Sequence, residues 1–263
     1  MASETLQLYQ VDAFASKLFQ GNPAAVVPLQ RWLPDSLMQS MAEENNLSET
    51  VFFVPKGDGF HIRWFTPTSE VKLCGHATLA AAFVLYEFCG WQQPLIQFDS
   101  ASGPLVVERS GQCFSMDFPA QPGKVCDTPA ALLLGLGVQP ELCLASEDYL
   151  VVLDSEDQLR QIQPDMTQLK KLDLRGVAVT APGSDCDFVV RFFAPNYGID
   201  EDPVTGSAYT QLAPYWAERL GTPHLQARQL SSRGGDVACV VGQGRVSISG
   251  SAVCFMQGSI VLP

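Results

Sequence analysis

At 263 residues and 28.6 kDa the chain is long enough for two domains of roughly 130 residues each, and with 46% hydrophobic and 17% charged residues it is neither a mini-protein nor a wholly disordered chain. Twenty-eight acids against 16 bases give a formal charge of −12, a surface that repels phosphate backbones and anionic lipid, so nucleic acid and membrane are excluded as default partners. The longest mainly apolar stretch, Ala77 to Tyr86, is far short of the roughly 20 residues of a membrane span, and the N-terminus lacks the basic region of a signal peptide, so a cytoplasmic protein is the expectation.

In chain order, alternation over Leu6 to Phe14 and again over Ala24 to Val27, across the turn Gln20-Gly21-Asn22-Pro23, predicts two strands. Leu33, Leu37, Met38, Met41 and Ala42 recur at helical spacing up to Asn45, with Asp35 placed as the N-cap. Strands over Thr50 to Val54 and Phe60 to Phe65 flank the hairpin loop Lys56-Gly57-Asp58-Gly59. Cys74-Gly75-His76-Ala77 opens a helix running to about Glu87 that is apolar on nearly every side, and such a helix must be surrounded rather than docked on one face. Further strands are predicted over Leu95 to Phe98, Pro104 to Glu108, Cys113 to Phe118, Leu150 to Leu153, Val177 to Thr180, Phe188 to Phe193, Val237 to Val241 and Arg245 to Ser249, with a linker at Phe118-Pro119-Ala120-Gln121-Pro122-Gly123. Eight scattered cysteines without a CxxC pair, and only three histidines, suit neither a zinc site nor a disulfide frame.

One grammar occurs twice. Arg63-Trp64-Phe65-Thr66-Pro67 is matched 128 residues later by Arg191-Phe192-Phe193-Ala194-Pro195, and, after a loop three residues longer, Cys74-Gly75-His76-Ala77 is matched 131 residues later by Thr205-Gly206-Ser207-Ala208, which reads as an internal duplication. The fold class that follows is α+β, each half a strongly curved sheet folded around one apolar helix.

Both helix starts expose first-turn amides that lack internal partners, and Gly75 and Gly206 let a ligand approach them closely. Two such starts facing one another make a pocket for a small carboxylate; the alternative is two tight turns before buried helices. In Asn46-Leu47-Ser48-Glu49-Thr50, a carboxylate between a helix end and a buried strand suits proton transfer, whereas Ser48 and Glu49 as simple turn caps is the competing reading. His76, at a helix N-terminus, is expected to stay neutral, and Cys74 at the same start is expected to carry a lowered thiol pKa. Asp202 reads either as a pocket acid or as a cap for the helix at Thr205.

At these residues the chain resembles the PhzF family of phenazine biosynthesis-like proteins, which share the diaminopimelate epimerase fold. The resemblance runs through Asp12-Ala13-Phe14, Gly21-Asn22-Pro23-Ala24-Ala25-Val26, Asn46-Leu47-Ser48-Glu49-Thr50, Phe65-Thr66-Pro67 with Cys74-Gly75-His76-Ala77-Thr78, Glu201-Asp202-Pro203-Val204-Thr205-Gly206-Ser207-Ala208 and Arg233-Gly234-Gly235. It implies two epimerase-like domains, 1–118 plus 252–263 and 119–251, each a mixed sheet rolled around a central helix, with the last strand returning to the first domain and the site in the cleft. It further implies an isomerase without cofactor or metal that moves a proton between carbons of a small, possibly cyclic carboxylate. Glu49 inherits the acid/base role, with His76 and Asp202 beside it in the pocket, while Ser48, Cys74, Gly75, Thr205, Gly206 and Ser207 fall to substrate binding. A homodimer is the family expectation. Related racemases and epimerases place a cysteine at both helix starts; here the pair is Cys74 and Thr205, and a threonine hydroxyl is too weak an acid to replace the second thiol. An epimerase working through Cys74 and a binding protein with a vestigial site are the alternatives.

Overall fold

Alternating apolar positions become strands in the computed structural model, which describes residues 4–262. Strand β1 (Glu4–Ala13) is antiparallel to β2 (Asn22–Pro28), and the chain then crosses through helix α1 (Asp35–Asn45) to β3 (Glu49–Lys56), parallel to β2. An antiparallel hairpin leads to β4 (Gly59–Phe65), followed by the short β5 (Glu70–Val71). Helix α2 (Gly75–Glu87) carries the chain to β6 (Leu95–Asp99), parallel to β4, and β7 (Leu105–Ser110) and β8 (Cys113–Pro119) follow as antiparallel neighbours.

The second half repeats this order. After β9 (Lys124–Val125) and α3 (Ala130–Leu136), β10 (Leu142–Ala145) is antiparallel to β11 (Tyr149–Val152). Helices α4 (Glu156–Gln161) and α5 (Met166–Leu169) then lead to β12 (Val177–Pro182), parallel to β11, and β12 is antiparallel to β13 (Phe188–Ala194). Strand β14 (Ile199–Asp202), a 3-10 turn at Gly206–Ala208 and α6 (Tyr209–Leu220) lead to β15 (His224–Gln229), parallel to β13 and antiparallel to β16 (Gly235–Val241). The pairings of β10, β11, β12, β13, β15 and β16 therefore reproduce those of β1, β2, β3, β4, β6 and β7, which establishes the duplication as one of topology. The final strand β17 (Arg245–Leu262) runs past the predicted end at Ser249 and pairs antiparallel with β1 along its C-terminal part.

Two compact units result, Met1–Asp117 with Ser249–Pro263 and Phe118–Ile248. Each is a mixed sheet around a buried helix, so the class is α+β. In the first unit α2 packs on β1, β2 and β3 and buries His76, Ala77, Thr78, Leu79, Ala80, Ala81, Ala82, Val84 and Leu85. Small alanines let the strands approach on all sides, as a helix without a polar face requires. In the second unit α6 packs on β15 and β16, burying Tyr209 to Ala213 and Trp216, while its Arg219 end is exposed. On the outer side, α1 closes a cluster of Leu33, Met38, Met41, Phe52 and Phe65, and the counterpart in the second unit gathers Leu132, Leu159, Leu169, Val179 and Phe193. Each fully buried side chain of this kind contributes roughly 1.5–3 kcal/mol. Among the described residues no helix is long and apolar enough to cross a membrane.

Local details depart from the sequence reading. Pro34, not Asp35, is the N-cap of α1; Asp35 is the first helical residue, and its Oδ1 accepts from Arg63 Nη1 at 2.9 Å. Helices α3, α4 and α5 span only seven, six and four residues, too few turns for periodicity to register. The caps were nonetheless in the sequence: Ser155 accepts from the Gln158 amide, and Asp165 from the amides of Thr167 and Gln168. The second repeat does not open directly as an α-helix at Thr205, because a 3-10 turn intervenes before Tyr209.

Candidate active site

Asn46 ends α1 in the left-handed region, φ 48° and ψ 37°, with its amide donating to the Ala42 carbonyl. Asparagine tolerates that conformation better than most residues, and the reversal feeds Ser48 and Glu49 into β3, where Glu49 stands opposite Ala24 of β2. Ser48 Oγ donates to Asn22 Oδ1 at 3.1 Å, and Asn45 Nδ2 donates to Thr50 Oγ1 at 3.0 Å, fixing the entry to the strand. The Glu49 side chain is thereby held at 13% exposure beside the start of α2.

Cys74 is the N-cap of α2 in extended conformation, its carbonyl accepting from the Thr78 amide at 3.1 Å and the Thr78 hydroxyl at 2.6 Å. His76 lies one residue into the helix, its side chain 8% exposed, with Nε2 3.0 Å from Glu49 Oε2 and Nδ1 3.5 Å from Cys74 Sγ. The imidazole thus stands between a thiol and a carboxylate. The contact with Glu49 is electrostatic: its Oε2 is enclosed yet accepts no hydrogen bond of proper geometry. Donor atoms of Glu49, Cys74 and His76 all lie within 4.8 Å of one another, a set chemically able to ligate a metal ion.

Two electrostatic expectations reverse here. Burial alone would lower the His76 pKa, but Cys74 and Glu49 against the ring raise it well above 6.5. Cys74 and the Glu49 carboxylate at 3.0 Å outweigh the partial charge of a helix terminus, so the shift runs opposite to the one a helix start alone would give. For Cys74, burial and the nearby Glu49 push the thiol above 9.0 against the opposing pull of His76, so it is a protonated thiol and not an activated thiolate.

In the second unit the predicted residues meet a different environment. Thr205 Oγ1 donates to Asp202 Oδ2 at 2.5 Å, and the Thr205 amide donates to Gln229 Oε1 at 2.9 Å. Gln229 Nε2 in turn donates to the Asp202 carbonyl at 2.6 Å. Asp202 therefore takes the threonine hydroxyl, while Gln229 satisfies the amide that a helix-capping acid would have met. Gly206 is buried and Ser207 half-buried in the 3-10 turn, where the Ser207 carbonyl accepts from Thr210 Oγ1 at 2.7 Å. Beneath this turn the fully buried Asp148 receives Arg175 Nε at 2.9 Å and Gln211 Nε2 at 3.1 Å.

Gln229, Asp148, Arg175 and Gln211 were not singled out from sequence. For Gln229 a signal existed: it occupies an inward position of β15 in register with Leu225 and Ala227, where an apolar residue is the norm. Of the sequence-predicted residues, Glu49, Cys74 and His76 form one cluster, Ser48 anchors its backbone, and Gly75 supplies the residue between cap and imidazole. Asp202 and Thr205 are joined directly in the other unit.

Residues 11–258 match the family model described as phenazine biosynthesis-like protein. An uncharacterized isomerase of Pseudomonas aeruginosa is 51% identical over 257 residues, covering 98% of this chain and 99% of that one. A crystal structure of a PhzF family phenazine biosynthesis protein from Enterococcus faecalis aligns with TM-score 0.97 at 44% identity, over 98% of this chain and 100% of that one. A hydroxyproline epimerase of Agrobacterium vitis, at 11% identity and TM-score 0.62, over 98% of this chain and 93% of that one, shares the fold.

Proposed function

The chain belongs to the phenazine biosynthesis-like family and is an isomerase, and from that premise we propose that it moves a proton between two carbons of a small carboxylate without a cofactor, Glu49 being the general acid/base. The observation that carries this reading is the enclosed Glu49 Oε2, 3.0 Å from His76 Nε2 and holding no properly formed hydrogen bond of its own. A carboxylate so placed has a free lone pair for a C–H proton, and the adjacent imidazolium orients it. Proton removal and redelivery by one positioned side chain contributes about 10²–10⁴-fold. First-turn amides at Gly75 and in the turn at Gly206 and Ser207 are assigned to the substrate carboxylate, where they stabilise charge that develops on the reacting skeleton. His76 and Asp202 are assigned to the catalytic group with Glu49, and Ser48, Cys74 and Thr205 to substrate binding.

The same reading assigns residues 1–118 plus 252–263 to one epimerase-like domain and 119–251 to the other, in a cytoplasmic homodimer. Light scattering on the purified protein tests the dimer.

The decisive experiment screens small cyclic and open-chain carboxylates for incorporation of solvent deuterium and then repeats the assay with Glu49→Gln. Exchange lost in a folded variant is the expected result; exchange retained overturns the role of Glu49. A Cys74-centred epimerase is the second reading, favoured by the 3.5 Å contact of Sγ with His76. Against it stand the protonated thiol and the engagement of Thr205 with Asp202. Full activity in Cys74→Ser would remove that reading.

A further inference from the structure

Cys74 has no assigned chemistry in proton transfer by Glu49, yet it completes a donor set. Sγ is 4.0 Å from His76 Nε2, and that same nitrogen is 3.0 Å from Glu49 Oε2. Four ligands around zinc at bond lengths of about 2.0–2.3 Å stand roughly 3.3–3.8 Å apart, so the two distances bracket what a single ion needs, and all three donors fit within 4.8 Å. The chemistry suits a borderline metal: one sulfur, one imidazole nitrogen and one carboxylate oxygen select Zn²⁺ over Mg²⁺ or Ca²⁺, which require mainly oxygen. An independent observation points the same way, since Glu49 Oε2, 3.0 Å from His76 Nε2, is enclosed without a hydrogen-bond partner.

We propose that Glu49, Cys74 and His76 form a three-ligand binding site for Zn²⁺ and that zinc there inhibits the enzyme by occupying its acid/base. Binding converts the Cys74 thiol to a zinc-bound thiolate and frees the His76 ring nitrogen of its proton, both protons leaving to solvent; no electron is transferred. The fourth position stays open to water, as in sites with three protein ligands. Zinc does not perform the isomerisation. It competes with the substrate proton for the same carboxylate oxygen. The inhibitory half of this inference rests on the role proposed for Glu49, whereas the binding half does not.

The test uses the 263-residue chain freed of metal by chelator. Equilibrium dialysis against buffered ZnCl₂ is expected to give one tightly held ion per chain, weakened at least 100-fold in Cys74→Ala and in His76→Gln and unchanged in Cys113→Ser, which removes an exposed thiol outside the cluster. CoCl₂ as a spectroscopic probe is expected to give a thiolate charge-transfer band in the near ultraviolet and intense tetrahedral visible bands, both absent in Cys74→Ala. Zinc binding that survives Cys74→Ala and His76→Gln unchanged, with both variants folded by circular dichroism, overturns the site. If the site binds zinc but deuterium exchange into substrate proceeds at an undiminished rate with the metal bound, the site stands and the role of Glu49 falls.

Discussion

Arg63 donates Nε and Nη2 to the two carboxylate oxygens of Glu70, each at 2.7 Å, and Arg191 makes the same fork to Glu201 at 2.7 and 2.9 Å. Each guanidinium also lies over the phenylalanine two residues on, Phe65 at 5.1 Å and Phe193 at 5.0 Å. Up to this point the two units match in motif order, in strand pairing and in the arginine fork. Beyond it they part. The first unit places a thiol, an imidazole and a carboxylate at its helix start; the second places a threonine whose hydroxyl and amide are already bonded to Asp202 and Gln229. Duplication kept the frame, the bidentate pair that pins the loop before the helix, and left the cap free to diverge. A thiol, an imidazole and a carboxylate collect in one copy, and a hydrogen-bond network around Asp202 and Gln229 fills the other.

The sharpest way to break this contrast is to neutralise one acid in each copy. Glu49→Gln is expected to lower kcat/KM by about 10³-fold or more, and Asp202→Asn by about 10-fold to 10²-fold, measured on any substrate that exchanges deuterium. Equal losses would mean that both units hold proton chemistry.

The next effect concerns stability. Asp148 is fully buried and receives Arg175 and Gln211 beneath the second-unit turn. Arg175→Met leaves that carboxylate with one neutral donor and is expected to destabilise the protein by about 3–5 kcal/mol in urea unfolding. A smaller loss, about 2–3 kcal/mol, is expected for Gln229→Leu, which strips partners from the buried Thr205 amide and Asp202 carbonyl together. If Gln229→Leu proves neutral, the lattice is not what holds the second helix start.

How much of this was legible beforehand follows from the range of the interactions concerned. The repeat, the all-round apolar α2 and the glycines after each cap are local patterns, and local patterns are printed in the sequence. Glu49 was not distinguishable from 27 other acids by any local rule. Its meeting with His76 depends on the parallel register of β3 with β2 and on the burial of α2, which are tertiary facts. The His76 and Cys74 shifts run opposite to the sequence expectation for the same reason. A helix terminus is visible in sequence, but burial and a carboxylate 3.0 Å away are not, and these dominate. The Arg175, Asp148 and Gln211 lattice joins three separated segments, so spacing along the chain carried no sign of it.

The smallest effect is the most specific to the first unit. Because the folded-state pKa of His76 is raised well above 6.5, the native protein holds a proton that the unfolded chain releases near 6.5. The stability contributed by the charged ring is therefore complete below pH 6.5 and is lost as pH rises toward the folded value, with a slope of at most about 1.4 kcal/mol per pH unit. Unfolding of wild type and His76→Gln, compared at intervals from pH 6 to pH 8.5, is expected to show a gap that narrows steadily. The unfolded Cys74 thiol begins to ionise at about pH 8.5 in both proteins while burial raises it in the folded state, so its contribution cancels in the gap between them. The second unit has Ser207 where the first has His76, so Ser207→Ala supplies the matched control: its gap to wild type is expected to stay flat over the same range. A flat gap for His76→Gln as well would mean that the imidazole titrates alike in the folded and unfolded chain and that the two helix starts are electrostatically alike after all.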